Sequence, residues 1–420
     1  MLGLEFDCNY AFEAVKEIVK EPRFTGTPGE ERARLIIIGK LEEMGLSPFL
    51  EPFSVKTYTI QREELVVEEP RREEIPCSGV GFSGSTGEKG VSGRLVYVET
   101  GDRALLPEER GWVGLASSRP EREDWGFLAK RALGLVIAES SPHRELSTVD
   151  IPHEWLEEYG ELPAVYVRYR DAYKLLKAER VRLTLIQKYR EVTSYNIVAE
   201  IVGSKYPDEV IVITAHYDSE RNAPGAVDNA GGTALALGLA KAMSKRKPKR
   251  TLRFVFTAAE ELGLRGSLAY VDSHKNELRN IKVVVNLDVH GQAIGTNHAI
   301  VTGNPKIAAW LEVLAKTMGM KVKVREDVMS SDGTPFAREG IPVINFYRGG
   351  GPTVDMHSKL DDLRYVHPQA YKIIGSFALR VVLELAGAEE FPLPREVTED
   401  MKKKVKEYFE KRGFGKKLRD

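Results

Sequence analysis

Six short motifs set histidines and carboxylates where they could do chemistry. In Ala215-His216-Tyr217-Asp218 an imidazole and a carboxylate stand two residues apart, so one can ligate a metal while the other orients it. Gly225-Ala-Val-Asp228-Asn229-Ala-Gly231-Gly232 opens a helix, with glycines that admit close backbone approach and an acid near the positive helix end. Thr257-Ala-Ala-Glu260-Glu261-Leu-Gly-Leu-Arg-Gly-Ser267 carries adjacent carboxylates, of which one can bind a metal while its neighbour accepts a proton from water. Asp288-Val-His-Gly291 adds another acid, and Met356-His357-Ser-Lys-Leu-Asp361-Asp362 a second imidazole with a supporting carboxylate. Ser331-Asp332-Gly333-Thr334-Pro335-Phe336 is expected in a pocket wall.

Each motif alone has a plainer reading: a surface His–Asp pair, an N-capping Asp228, a solvated helix start at Glu260-Glu261. A phosphate loop is excluded, because the glycines are followed by no Lys-Ser/Thr and form no GxGxxG. Together, His216, His357, Asp228, Glu261 and Asp288 form a set of nitrogen and oxygen ligands without thiolate. Such a set suits zinc, with cobalt or manganese as alternatives, rather than magnesium or calcium. Five candidates exceed the three protein ligands usual for one catalytic zinc, so two divalent ions sharing a bridging carboxylate are expected.

The elements that must hold these residues follow from patterning. Tyr195–Ile201, Val210–Thr214, Leu252–Phe256, Ile281–Leu287 and Val343–Phe346 are dense in Val, Ile and Phe, as strands buried on both faces should be. Helical segments fall near 230–245, 261–273, 305–318, 334–339 and 368–387. The alternation predicts an α/β fold with a mostly parallel central sheet and helices on both faces, its function in the loops beyond the strand ends. Two amphipathic helices are expected in 10–45, around the turn-rich Arg23-Phe-Thr-Gly-Thr-Pro-Gly29. The charged stretch 62–76 reads as a connector, and 77–188 as a separate, smaller β-rich α+β module. The expected organisation is therefore 1–70 and 190–395 as one domain, 77–188 inserted, and 396–420 a charged helical tail that packs on its own chain or on a neighbour in a homodimer.

Composition excludes more than it assigns. Sixty-one basic residues face 62 acidic ones among 420, leaving a net charge of −1 and nothing that attracts nucleic acid or anionic membrane. The dense, interleaved charge suits a thermophile. Two cysteines, Cys8 and Cys77, cannot staple a chain of this size and are expected reduced. No signal-peptide pattern or membrane-length apolar run is seen, so a cytoplasmic location is expected.

In their order, HYD at 216–218, GAVDNAGG at 225–232, AEELGLRGS at 259–267, NLDVHG at 286–291, SDGTPF at 331–336 and MHSKLDD at 356–362 resemble the co-catalytic di-zinc aminopeptidases. That is the family of bacterial leucyl aminopeptidase, with glutamate carboxypeptidase and transferrin receptor among its distant members. The resemblance covers roughly 10–60 and 190–390, and 77–188 is similar to the protease-associated domain many members carry. It implies that Asp228 bridges two metals, His216 and Asp288 complete one ion's shell, and Glu261 and His357 the other's. Glu260 would be general base, Asp218 would orient His216, and Asp361 would support the loop bearing His357. Two positions depart from the family. Met356 stands where some members place an oxyanion-stabilising Tyr, leaving Tyr347 as a substitute, and Gly333 stands where several relatives have a bulkier residue. The implied activity is aminopeptidase action on peptides. A carboxypeptidase or dipeptidase would need a cationic clamp such as Arg348, and a metal-free interaction protein is the third alternative.

Overall fold

The computed structural model describes residues 6–413. They form two units, one of residues 6–55, 193–356 and 361–408, the other of 56–192, 357–360 and 409–413. Two long strands, Phe49–Glu69 and Arg180–Ile201, carry the chain from one unit into the other. The inserted unit therefore begins at 56 rather than 77. The segment expected as a connector is strand because it alternates: Leu65 and Val67 turn inward and pair with Ile75 and Glu73 of the short strand Glu73–Ile75.

In the first unit the strand order is Val322–Glu326, Thr296–Thr302, Val343–Gly349, Ile281–Leu287, Tyr206–His216, Arg250–Thr257 and the end of Arg180–Ile201. The four from Val343–Gly349 to Arg250–Thr257 run parallel, so their C-terminal ends share one edge. The outer pairings of Thr296–Thr302 with Val343–Gly349 and of Arg180–Ile201 with Arg250–Thr257 are antiparallel. Thr296–Thr302 and Val322–Glu326 escaped sequence reading, the first for its polar start and the second for its alternating charges. Ile211, Ile213 and Ala215 join Val283, Val285, Leu287, Ile344 and Phe346 in the apolar core. The intervening Thr214, His216, Asn286, Asp288 and Asn345 face the opposite way, and all are buried. One face of the sheet thus packs on this core, and the other carries the polar groups beside the equally buried Val212, Val284 and Val343.

Helices Cys8–Ile18, Gly231–Ser244 and Pro368–Gly387 contribute to that core. The tail helix Glu399–Arg412 docks on its own chain, burying Met401 and Val405, with the Tyr408 hydroxyl 2.7 Å from Ser330 Oγ. The rest of the expected tail, 414–420, lies outside the described residues. In the second unit the strand order is the start of Arg180–Ile201, then Val91–Glu99, Trp112–Ala116, Ala132–Ala138, Ala164–Val167 and Cys77–Gly79. Its four middle strands are parallel, and Val113, Leu115, Val136, Val165 and Leu183 are central to its core. Both cysteines are free. No helix among the described residues is long and apolar enough to cross a membrane.

Helix Pro28–Glu43 buries an acid in its first turn. Glu30 accepts the Gly26 N–H at 2.7 Å and the Ser194 hydroxyl, yet burial pushes its carboxyl up to about 7. A raised folded-state pKa means that the folded chain holds this proton more tightly than the unfolded one. Its contribution is then complete below about pH 4.5 and is lost as pH rises toward 7. At about 1.4 kcal/mol per unit, up to roughly 3 kcal/mol of pH dependence is expected from this residue. Denaturant unfolding at pH 5 and pH 8 should therefore show a smaller loss for Glu30→Gln than for the wild type. Equal losses would contradict the assignment.

Candidate active site

The site is built at the shared edge where the parallel strands end. His216 closes the strand Tyr206–His216 and is buried. Its Nε2 lies 3.2 Å from Asp228 Oδ1 and 3.3 Å from Asp288 Oδ1, and its Nδ1 3.5 Å from Asp218 Oδ1. Asp218 also reaches the neighbouring loop, where its two oxygens accept the Glu260 and Glu261 N–H groups at 3.1 and 3.2 Å. One carboxylate thereby fixes the loop that presents the paired glutamates and sets a negative charge beside the imidazole.

Asp228 is delivered by an irregular turn entered through Gly225, whose φ of 62° is left-handed, and followed by a cis Asp228–Asn229 peptide. Helix Gly231–Ser244 then begins hard against the neighbouring strand end. A Cβ on Gly231 would lie 2.0 Å from His290 O, and one on Gly232 2.2 Å from Leu287 O, so only glycine fits. Asn229, quoted in the motif but given no role from sequence, clamps this contact. Its Nδ2 donates to Leu287 O at 2.9 Å, and its Oδ1 accepts from Gly232 and Val289. The Asp288 N–H donates to Phe346 O at 3.1 Å.

Asp361 acts elsewhere than expected. Its oxygens accept the Val227 and Asp228 N–H groups at 2.8 and 3.0 Å, so it supports the turn bearing Asp228 rather than the loop of His357. Burial pushes its carboxyl up to about 7 against the pull of those bonds. Arg23 was also missed. Fully buried, it donates from Nε to Tyr217 O at 2.6 Å and from its terminal nitrogens to Pro224 O and Gly225 O, pinning the 217–225 segment. Burial lowers its guanidinium to about 10, while Asp218, Asp361, Asp228 and Glu261 favour the charge.

Three expected pocket residues are engaged otherwise. Arg348 is nearly buried and donates to Gln292 O, Asn297 Oδ1 and Ala293 O at 2.7–2.8 Å, so the suggested carboxylate clamp is already occupied within the fold. Tyr347 stacks on His298 of the adjacent strand, with centroids 4.4 Å apart. Asp332 does not line an open wall. It is fully buried, with Oδ2 accepting the Thr257 hydroxyl at 2.6 Å, and burial pushes it up to about 6. His357 follows the turn Gly351–Asp355 at φ 59° and falls in the second unit, where its carbonyl accepts the Thr148 N–H and hydroxyl.

Two groups of donor atoms each converge within 4.8 Å: His216, Glu260 and Asp288, and His216, Asp228 and Glu261. Burial pushes the Glu260 and Glu261 carboxyls well above the usual range, and neighbouring acids (Asp332, Asp288 and Asp228 for Glu260; Asp228, Glu220 and Glu260 for Glu261) add to it. Burial alone would lower His216, but Glu260, Asp218, Asp228 and Asp288 outweigh it and hold the imidazole well above its usual value. Carboxylates crowded in so small a buried volume need added positive charge. One imidazole nitrogen among carboxylate oxygens, with no sulfur, is a donor set that fits a borderline divalent cation such as zinc.

A model described as peptidase family M28 matches residues 196–382, the span that holds His216, Asp218, Asp228, Glu260, Glu261 and Asp288. Carboxypeptidase Q of Pongo abelii is 30% identical over 366 residues, covering 81% of this chain and 74% of the relative. Aminopeptidase YwaD of Bacillus subtilis (strain 168) is 25% identical over 426 residues, covering 97% and 90%. Among solved structures, BSAP, a zinc aminopeptidase from Bacillus subtilis, is similar in fold, with a TM-score of 0.77 at 22% identity over 95% of this chain and 100% of that one. On the family match and the identity sustained across most of both chains, this chain belongs to peptidase family M28.

Proposed function

We propose that this chain is a zinc-dependent aminopeptidase that removes N-terminal residues from peptides. The observation that carries the reading is the buried His216 imidazole with Asp228 and Asp288 at 3.2 and 3.3 Å from its Nε2, beside a Glu260-Glu261 pair whose backbone Asp218 fixes. Asp228, His216, Asp288 and Glu261 are the residues that would hold the cations. Divalent cations held there would polarise the scissile carbonyl and make water a stronger acid near neutral pH.

The remaining roles belong to side chains. Glu260 takes the proton of the attacking water as the new C–O bond forms. It then delivers that proton to the peptide nitrogen as the C–N bond breaks. Asp218 holds the Glu260 backbone, so that part of the site need not be ordered during turnover. The surplus of acids at this edge would attract a free α-ammonium group, which favours attack at the N-terminus. Relatives bear both aminopeptidase and carboxypeptidase names. A carboxypeptidase or dipeptidase reading loses its proposed clamp, because Arg348 donates within its own unit. We assign the inserted unit to the protease-associated type.

Matched peptides with a free or acetylated N-terminus, and a free or amidated C-terminus, test the reading. Cleavage is expected to require the free amine and to tolerate the amide. Cleavage of acetylated peptides, with none of the amidated ones, would overturn it.

A further inference from the structure

Ser331 and Asp332 take no part in the steps above, yet both are fully buried on the polar face of the sheet. The Asn286 side-chain N–H donates to Ser331 Oγ at 2.7 Å, and the Thr257 hydroxyl donates to Asp332 Oδ2 at 2.6 Å. Asn286 lies in the strand that runs into Asp288, and Thr257 ends the strand that runs into Glu260 and Glu261. Between those two strands runs the one that ends at His216. Two consecutive residues therefore bridge the outer strands of this trio and span the middle one.

The loop 258–266 holds its own shape. Gly266 N–H donates to Ala258 O and Arg265 N–H to Ala259 O, both at 3.0 Å, and the Glu260 carbonyl accepts from Gly263 and Leu264 at 2.8 Å. Asn196 closes the base, accepting the Ala258 N–H and donating to Gly266 O. Such a loop is rigid in itself but still needs its placement against Asp288 set. Asp218 reaches it from above through Glu260 N and Glu261 N. At its stem it is tied by Asp332 through Thr257, the strand residue that immediately precedes it.

We propose that Ser331-Asp332 is a positioning clamp that sets the spacing between the strand end carrying Asp288 and the loop carrying Glu260 and Glu261. The inference rests on the metallopeptidase reading for its effect on turnover, but its structural content does not.

The test is hydrogen exchange on the zinc-loaded full chain, comparing wild type with Asp332→Ala, Asp332→Asn and Thr257→Val. Loss of one buried hydrogen bond is expected to speed exchange over 257–267 by roughly tenfold in Asp332→Ala and Thr257→Val, and to leave 206–213 unchanged. Asp332→Asn should stay within about threefold of wild type, because its amide oxygen still accepts the Thr257 hydroxyl. In parallel, Asp332→Ala should lower kcat on an aminoacyl-anilide by about 10- to 100-fold with little change in KM, and weaken zinc binding. Unchanged exchange and kcat in both Asp332→Ala and Thr257→Val would overturn the clamp, as would an Asp332→Asn variant no better than Asp332→Ala. If Asp332→Ala does not fold, Thr257→Val decides alone. A wild-type chain that hydrolyses nothing would sink the metallopeptidase reading, and the exchange comparison would still decide the clamp.

Discussion

Glu260→Ala is expected to lower turnover by about 10²- to 10⁴-fold while zinc content stays that of the wild type. The two halves of that result separate two roles the geometry allows. Glu260 converges with His216 and Asp288 closely enough to be a ligand. Its neighbour Glu261 converges instead with His216 and Asp228, so adjacent residues of one loop aim at different parts of the cluster. If Glu260 moves protons, zinc remains when its carboxyl is removed and only the chemistry fails. If it ligates, metal and turnover fall together. The loop survives the substitution, because Asp218 holds residue 260 by its backbone N–H and Asn196 closes the base. Metal analysis beside steady-state kinetics on one preparation checks the prediction, and near-normal turnover would remove Glu260 from the base role.

His216→Ala should cost both. This is the single residue common to the two converging groups, and it supplies their one nitrogen donor. Its removal leaves Asp228 and Asp288 facing each other without the imidazole 3.2–3.3 Å from each. Since bound cations supply several kcal/mol of transition-state stabilisation, turnover is expected to fall by roughly 10³-fold or more, and bound zinc by at least one equivalent. The strand should persist, because Ile211, Ile213 and Ala215 anchor it in the apolar core. Full zinc occupancy with His216 replaced by alanine would contradict the assignment.

The parallel strands of the first unit were readable because each is a dense run of β-branched and aromatic residues, buried on both faces. The acids and histidines at their ends were readable for the same reason: a polar residue directly after such a run has to face the strand edge. What escaped reading depends on contacts distant in sequence. Arg23 and Asn229 look ordinary locally, and their roles exist only because Tyr217 O and Leu287 O lie 194 and 58 residues away. Arg348 looked like a free cation beside a glycine run, until folding supplied Gln292, Ala293 and Asn297 as acceptors. Residues 62–76 looked like a connector because charge density hid the alternation of Leu65, Val67 and Ile75. Asp361 was assigned to its sequence neighbour His357, whereas the fold turns it toward the backbone of Asp228.

The most direct test of the central claim is a zinc titration of the demetallated chain, with hydrolysis of a free-amine aminoacyl-anilide followed at each addition. Activity should be absent after chelation, rise with zinc, and level off near two equivalents per chain. Hydrolysis that persists undiminished after complete chelation, or that fails to appear at any zinc or cobalt concentration, would contradict it.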